Sequence, residues 1–373
     1  MKKLKIILVL FFAVVMVSGC SCTSSMCSSE DLTAIKDSIK EKWYNDESYK
    51  TKLRDEAISN DITSETAITD YINQHIEKKI EDEYNKHPKA CLTNTEMEDP
   101  ESGATISGKT WKEAFKEGLL EGLIVYPISL LLIAFTNLLG GNGLAKVLSI
   151  VFTTIIIRLF MLLLTFKSQI QTQKMQVIQV EITEISKKLR DPNVSEAERN
   201  RLSMKMLDIY KKNGINPMSS LIPTLLSFPI FLSVWSAVSQ TLVIRTGTFL
   251  GLELGAAVSS QVFGFNIAAI ILFLLMTGSQ LLSMKLPNII RNKQANYKNK
   301  EQVKEANKQM STTTNIMLVM IVVSGFLLPA ALAIYWTIGA VVGICQTLIF
   351  QSKWFKNIIT KASNRKKKAK VVQ

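Results

Sequence analysis

The chain has 373 residues, of which 47% are hydrophobic and 20% charged, and a formal net charge of +13; its mean hydropathy is above zero. The apolar residues are gathered into long blocks separated by charged stretches, which excludes a soluble globular enzyme and a disordered chain and points to a multi-spanning membrane protein. The positive charge sits beside the apolar blocks, so it reads as an orientation signal and not as a DNA-binding surface.

In chain order, Lys2, Lys3 and Lys5 precede an apolar run from Ile6 to Val17, followed by Val17-Ser18-Gly19-Cys20. This resembles a lipoprotein signal peptide over residues 1–19, in which the Cys20 thiol receives diacylglycerol, a palmitate-type lipid anchor, and becomes the mature N-terminus outside the cell. Residues 20–118 are polar and acid-rich, with Ile35, Ile39 and Trp43, and then Ile72, Ile76 and Ile80, at helical spacing. They predict a small extracytoplasmic helical domain, with Thr93 to Gly108 as a linker. A disulfide from Cys91 to Cys22 or Cys27 is permitted there, without a framework spacing that selects one. His75 and His87 read as surface residues, and Cys345 as a small core residue.

Residues 119–143 are apolar but interrupted by Glu121, Gly122 and Pro127. If Cys20 is outside and the basic run beyond Lys167 is cytoplasmic, an additional crossing here would invert all that follows. The segment is therefore expected in the outer interface as an amphipathic helix. Five transmembrane helices are expected in a core spanning residues 144–351, at 144–166, 218–243, 265–284, 316–329 and 331–350. Gly325 and Pro329 break the last apolar block into two shortened helices. The loops after the first and third spans and the tail 352–373 are basic, which places the C-terminus in the cytoplasm.

Between the first two spans, residues 167–216 carry Ile178, Ile182, Ile185 and Leu189, a turn at Asp191-Pro192-Asn193, and then Leu202, Met206 and Ile209. Two apolar stripes around a turn predict an antiparallel cytoplasmic helical hairpin. Ser195-Glu196-Ala197-Glu198 offers an N-terminal cap for its second helix and Asn213-Gly214 a stop. The predicted fold class is thus an all-α membrane protein with five transmembrane helices, a cytoplasmic helical hairpin and a small extracytoplasmic helical domain.

No nucleotide-binding glycine loop, metal-ligand motif or nucleophile set appears, so the chain is not expected to be an enzyme or to use a metal or cofactor beyond the lipid on Cys20. The outstanding feature is Arg158, inside Ile155-Ile156-Ile157-Arg158-Leu159-Phe160 and nine residues before Lys167. That places it about 13 Å inside the span at about 1.5 Å per residue. A guanidinium facing lipid at that depth costs roughly 3 to 10 kcal/mol, so it should face protein or a water-filled cavity. No acidic residue lies in the five spans. Its partners must come from water, carbonyls, hydroxyls and amides, with Thr153, Thr154, Gln240, Thr277, Gln280, Thr337 and Gln346 as candidates. Most hydroxyls of this kind bond their own helix; the glutamine amides are more telling.

The ordered set Thr154-Ile155-Ile156-Ile157-Arg158-Leu159, Lys167-Ser168-Gln169, Tyr210-Lys211-Lys212-Asn213-Gly214-Ile215-Asn216-Pro217, Phe228-Pro229-Ile230-Phe231 and Leu328-Pro329-Ala330 through Tyr335-Trp336 resembles the YidC/Oxa/Alb family of membrane protein insertases. The resemblance implies a five-helix core with a hydrophilic groove, with Arg158 attracting polar parts of a substrate and Gln280 and Trp336 also lining it. It implies a chaperone-like role toward nascent membrane proteins. It also implies partners in the ribosome, the signal recognition machinery, the Sec translocon and anionic lipids. Two features depart from the family pattern. Met161-Leu162-Leu163-Leu164-Thr165 replaces a leucine-proline pair, which predicts a straighter inner end of that helix, and the acidic outer domain is larger than is typical of lipid-anchored members. The other readings are a secondary transporter of a small anion at Arg158, and a scaffold in which Arg158 is packing glue.

Overall fold

The computed structural model describes residues 27–216, 222–294, 300–352 and 355. The signal peptide, Cys20, Cys22 and nearly all of the basic tail lie outside them. The protein is helical throughout, with only two two-stranded hairpins among the described residues, and it divides into two compact units.

The first unit contains the described residues up to Ser149 together with Ile230–Gly255. It opens with α1 (Ser29–Tyr44), α2 (Glu47–Ser59) and α3 (Glu65–Lys86). Helix α1 starts where Ser28 and Asp31 exchange bonds, the Ser28 hydroxyl accepting from the Asp31 N–H at 3.1 Å and the Asp31 carboxylate accepting from the Ser28 N–H at 2.9 Å. This reciprocal cap satisfies two otherwise unpaired donors. Helix α3 ends at His87 because Pro88 follows and disfavours helical backbone at the residue before it. Ile35, Ile39, Leu53, Ile76 and Ile80 close a core with Cys91, Ala104, Ile106 and Leu242.

The stretch expected as a linker belongs to this core. Strands β1 (Met97–Glu98) and β2 (Thr105–Ile106) pair antiparallel, and Ile106 is fully buried. A disulfide joins Cys27 to Cys91, so of the two partners left open Cys27 is the one used. Short polar residues and glycines signalled a loop; the buried hydrogen bonds that fix it come from residues distant in sequence. His87 is likewise buried, not on the surface, with Nε2 2.7 Å from the Asp99 carboxylate and Nδ1 accepting from the Lys89 N–H. Burial pushes the Asp99 carboxyl up, but its bonds from His87 and Ser102 outweigh this and hold it below the usual range. Asp31 and Lys109 form a second buried pair. Burial raises the Asp31 carboxyl, yet the Lys109 ammonium and the Ser28 and Ser107 donors lower it to about 2.

Beyond the domain come α4 (Trp111–Glu117), a π-helical turn (Glu121–Val125) and α5 (Tyr126–Leu138). The Trp111 indole donates to the Gly122 carbonyl at 2.7 Å and the Tyr126 hydroxyl to the Lys109 carbonyl at 2.6 Å, fastening the turn to the domain. Expected as an interfacial helix, Glu121–Leu138 is one of four described helices long and apolar enough to cross a membrane. The domain also pairs with the C-terminal end of α8 (Ile222–Gln240). The Leu92 N–H donates to the Gln240 carbonyl at 2.8 Å, and the Leu242 N–H of α9 (Leu242–Arg245) to the Leu92 carbonyl at 3.1 Å. Strands β3 (Thr248–Phe249) and β4 (Leu252–Glu253) complete the unit.

The second unit takes Ile150–Pro229 and Ala256 onward. Helix α6 (Gly143–Arg190) runs unbroken for 48 residues, about 72 Å at about 1.5 Å per residue. Met161 to Thr165 lie within this continuous helix. Since a bilayer's apolar layer is about 30 Å thick, the far end of α6 extends beyond it. There it packs on α7 (Glu196–Lys212) through Ile178, Ile182, Ile185 and Ile209, the predicted hairpin. The turn is held by the Asn193 N–H donating to the Asp191 carboxylate at 3.0 Å. The unit continues with α10 (Val258–Phe263), α11 (Ile267–Gln294), α12 (Lys300–Leu327) and α13 (Ala330–Gln351). Pro329 breaks the last apolar block as expected. The break is braced by Val258 N–H to Leu328 carbonyl at 3.1 Å and Ala330 N–H to Ala256 carbonyl at 2.9 Å.

Leu159, Phe160 and Leu163 on α6, Leu274 and Leu275 on α11 and Val319 on α12 are exposed. Apolar surface of that extent marks helices built for lipid. Cys345 belongs to the same class: it is exposed on α13, not in a core.

Candidate functional site

Arg158 projects from the protein-facing side of α6. Its predecessor Ile157 and the threonines Thr153 and Thr154 are buried, while Leu159 and Phe160 are exposed. The side chain crosses to α13, where its Cζ lies 5.9 Å from the centre of the Tyr335 ring. The guanidinium rests on Gly339: a Cβ built there would come within 2.9 Å of Cζ and 3.0 Å of Nε, and closer still to one terminal nitrogen. Nε is buried without a hydrogen-bond acceptor, although the residue as a whole stays partly open. No carboxylate pairs with Arg158 among the described residues. Helix α13, which the guanidinium faces, contains no acidic residue.

Gln280 and Trp336 meet directly. The Gln280 side chain on α11 donates from Nε2 to the Trp336 carbonyl on α13 at 3.1 Å, giving that carbonyl a partner beyond its own helix. Trp336 is buried, and its ring edge and the Met276 thioether both pack where Gly325 of α12 has no side chain. Residues 335 to 339 of α13 are thus where the chain gathers three expected features: the arginine of α6, the glutamine of α11 and the tryptophan. Gln346 lies on the same helix seven residues past Gly339, about 10 Å farther along, and is half-buried.

Gln240 has a different setting, in the first unit. It is buried, its Nε2 donates to the Ser236 hydroxyl at 2.8 Å, and its backbone carbonyl receives the Leu92 N–H. Several hydroxyls turn back on their own helices: Thr154 to the Ile150 carbonyl at 2.6 Å, Ser279 to Met276 at 2.9 Å, and Thr337 to Ala333 at 2.8 Å. Thr153 and Thr277 keep buried hydroxyls with no partner. Sequence reasoning missed Tyr335 and Gly339. Their signal was their spacing of four on α13, which puts them on one face, but only the arginine's reach across from α6 gives that face meaning.

Among the described residues no group of histidine, cysteine and acidic side chains could hold a metal ion. The turn Asp191-Pro192-Asn193 is exposed at the tip of the hairpin, and the Arg199 guanidinium donates to the Asp191 carbonyl at 3.1 Å.

Comparison with known proteins assigns a family to this arrangement. Residues 138–357 match the family model described as 60Kd inner membrane protein, more than half of the chain. A protein named membrane protein insertase YidC 2 from Listeria innocua is 32% identical over 241 residues, covering 64% of this chain and 74% of the relative. One of the same name from Bacillus anthracis is 32% identical over 240 residues, 64% of this chain and 84% of the relative. Membrane protein insertase YidC from Alkalihalophilus pseudofirmus is 33% identical over 239 residues, 62% of this chain and 81% of the relative. The matched region begins at the end of α5, so it takes in the Arg158 site and the hairpin and leaves out the N-terminal helical domain. The chain is therefore a multi-pass membrane protein belonging to the YidC/Oxa/Alb family.

Proposed function

We propose that the protein is a membrane protein insertase and chaperone that admits polar parts of nascent membrane proteins to a positively charged site at Arg158. The observation that carries this is the arginine itself. It is a cation within an apolar helix, with no carboxylate partner and with one N–H lacking any acceptor among the described residues. Burying an unpaired charge is costly enough that it is retained only where something neutralises it for part of the time. An acidic or carbonyl-rich segment of a client in transit would do so, while the client's apolar segment slides along the exposed faces of α6, α11 and α12 into lipid. This is differential binding with no bond made or broken, so no catalytic residue is assigned.

In this reading Cys20 carries a diacylglycerol anchor outside the cell, the hairpin and C-terminal tail lie in the cytoplasm, and Gln280, Trp336 and Gln346 line the path. The hairpin and tail would meet the ribosome, the signal recognition machinery, the Sec translocon or anionic lipids. A photo-crosslinker at position 158 should label stalled nascent chains bearing an acidic outer tail. Labelling that is absent, or equal for soluble nascent chains, would refute the reading. Uptake of a small anion by liposomes holding only this protein would favour a transporter instead.

A further inference from the structure

We infer that Tyr335 and Gly339 form a seat on α13 that aims the Arg158 guanidinium, so that both are positioning residues for the intramembrane charge. This rests on the insertase reading of Arg158. Residues 335 and 339 are one helical turn apart on the same face. Tyr335 offers its ring at 5.9 Å from Cζ, near the outer reach of an attractive cation–ring contact at about 6 Å. Gly339 offers bare backbone. A Cβ there would meet Cζ, Nε and a terminal nitrogen together, so the Nε-bearing edge of the planar group lies against the glycine.

The consequence is a division of the fork. The Nε edge is committed to α13, where it finds no acceptor, and the far edge is held out for an incoming group. A guanidinium recognises a carboxylate through two parallel N–H bonds, which demands a fixed orientation of its plane. The residue that must yield to a new Cβ at position 339 is the flexible end of Arg158 and not a helix backbone. Gly339→Ala should therefore leave the fold in place and misdirect the charge. Lysine carries a compact ammonium on a flexible stem with no plane to be seated, so the seat should matter only to arginine.

The test is a double-mutant cycle on the full chain as sole insertase in cells, reading insertion of a single-spanning protein with an acidic outer tail at matched membrane abundance. Gly339→Ala should lower insertion about tenfold in the Arg158 protein and add little in the Arg158→Lys background, the coupling expected of residues in contact. Tyr335→Phe should behave as wild type and Tyr335→Leu should lose several-fold, again only with arginine present. Equal losses in both backgrounds would assign a packing role and overturn the inference. So would a fully active Gly339→Ala. If Gly339→Ala lowers abundance, the Tyr335→Leu cycle decides by the same criterion. Full activity of Arg158→Glu would defeat the insertase reading itself, an outcome distinct from zero coupling with Arg158→Glu inactive.

Discussion

Lys109 is a buried cation and Arg158 a half-buried one, and they are treated in opposite ways. Lys109 is paired with Asp31 in a closed network that includes Ser28 and Ser107; Arg158 has no carboxylate partner among the described residues. A closed pair is a structural device, and removing one member leaves the other buried and uncompensated, at about 3 to 5 kcal/mol. Asp31→Ala should therefore loosen the outer domain by roughly that amount, seen as faster proteolysis between residues 27 and 118, whereas replacing both members with apolar residues should cost much less. The Asp31 carboxyl falls from 3.8 to about 2 on folding. The stability it confers is complete above pH 4 and is lost as the pH drops through about 2. Proteolysis by an acid protease should show the domain intact at pH 4 and opening only near pH 2. In the Asp31→Ala protein that acid step should shrink. That Arg158 sits within a long apolar helix could be read from the residues around it. The burial of His87 could not, because its partner Asp99 is brought to it by a loop.

Helices were the most legible elements, since each long apolar run or periodic stripe is its own signal. The hairpin followed from two apolar stripes on either side of Asp191-Pro192-Asn193, and the broken final pair from Pro329 between two apolar runs. Ile182 and Ile209 are both buried in the hairpin interface. Replacing either by alanine should cost about 2 kcal/mol or more, measurable as faster amide exchange confined to 175–212; exchange unchanged there would show that the two helices do not depend on each other. Less legible were segments fixed by single long-range contacts. Thr93 to Gly108 has the composition of a linker, yet it carries a hairpin whose Ile106 enters the core. Leu92 pairs with Thr241 across more than a hundred residues, and no local pattern could announce that bridge. Gln240 reads as a polar group in a spanning helix; in the structure its backbone serves that bridge.

For the molecule as a whole, the charge is strongly divided. Acidic residues concentrate in residues 20–118, and the C-terminal part of the chain is the more basic. Helices α6, α11 and α12 expose apolar faces, and α6 holds Arg158 against α13. In the proposed function, a lowered desolvation cost at that single position does the work. Residues 27–118 lie outside the family match and are tied together by a disulfide and two buried pairs. The whole account turns on the sign of the charge at position 158. Insertion of a single-spanning protein with an acidic outer tail, measured with the full chain as sole insertase, should be largely kept in Arg158→Lys and abolished in Arg158→Ala and Arg158→Glu at equal protein levels. Undiminished insertion by the Arg158→Glu protein would contradict it.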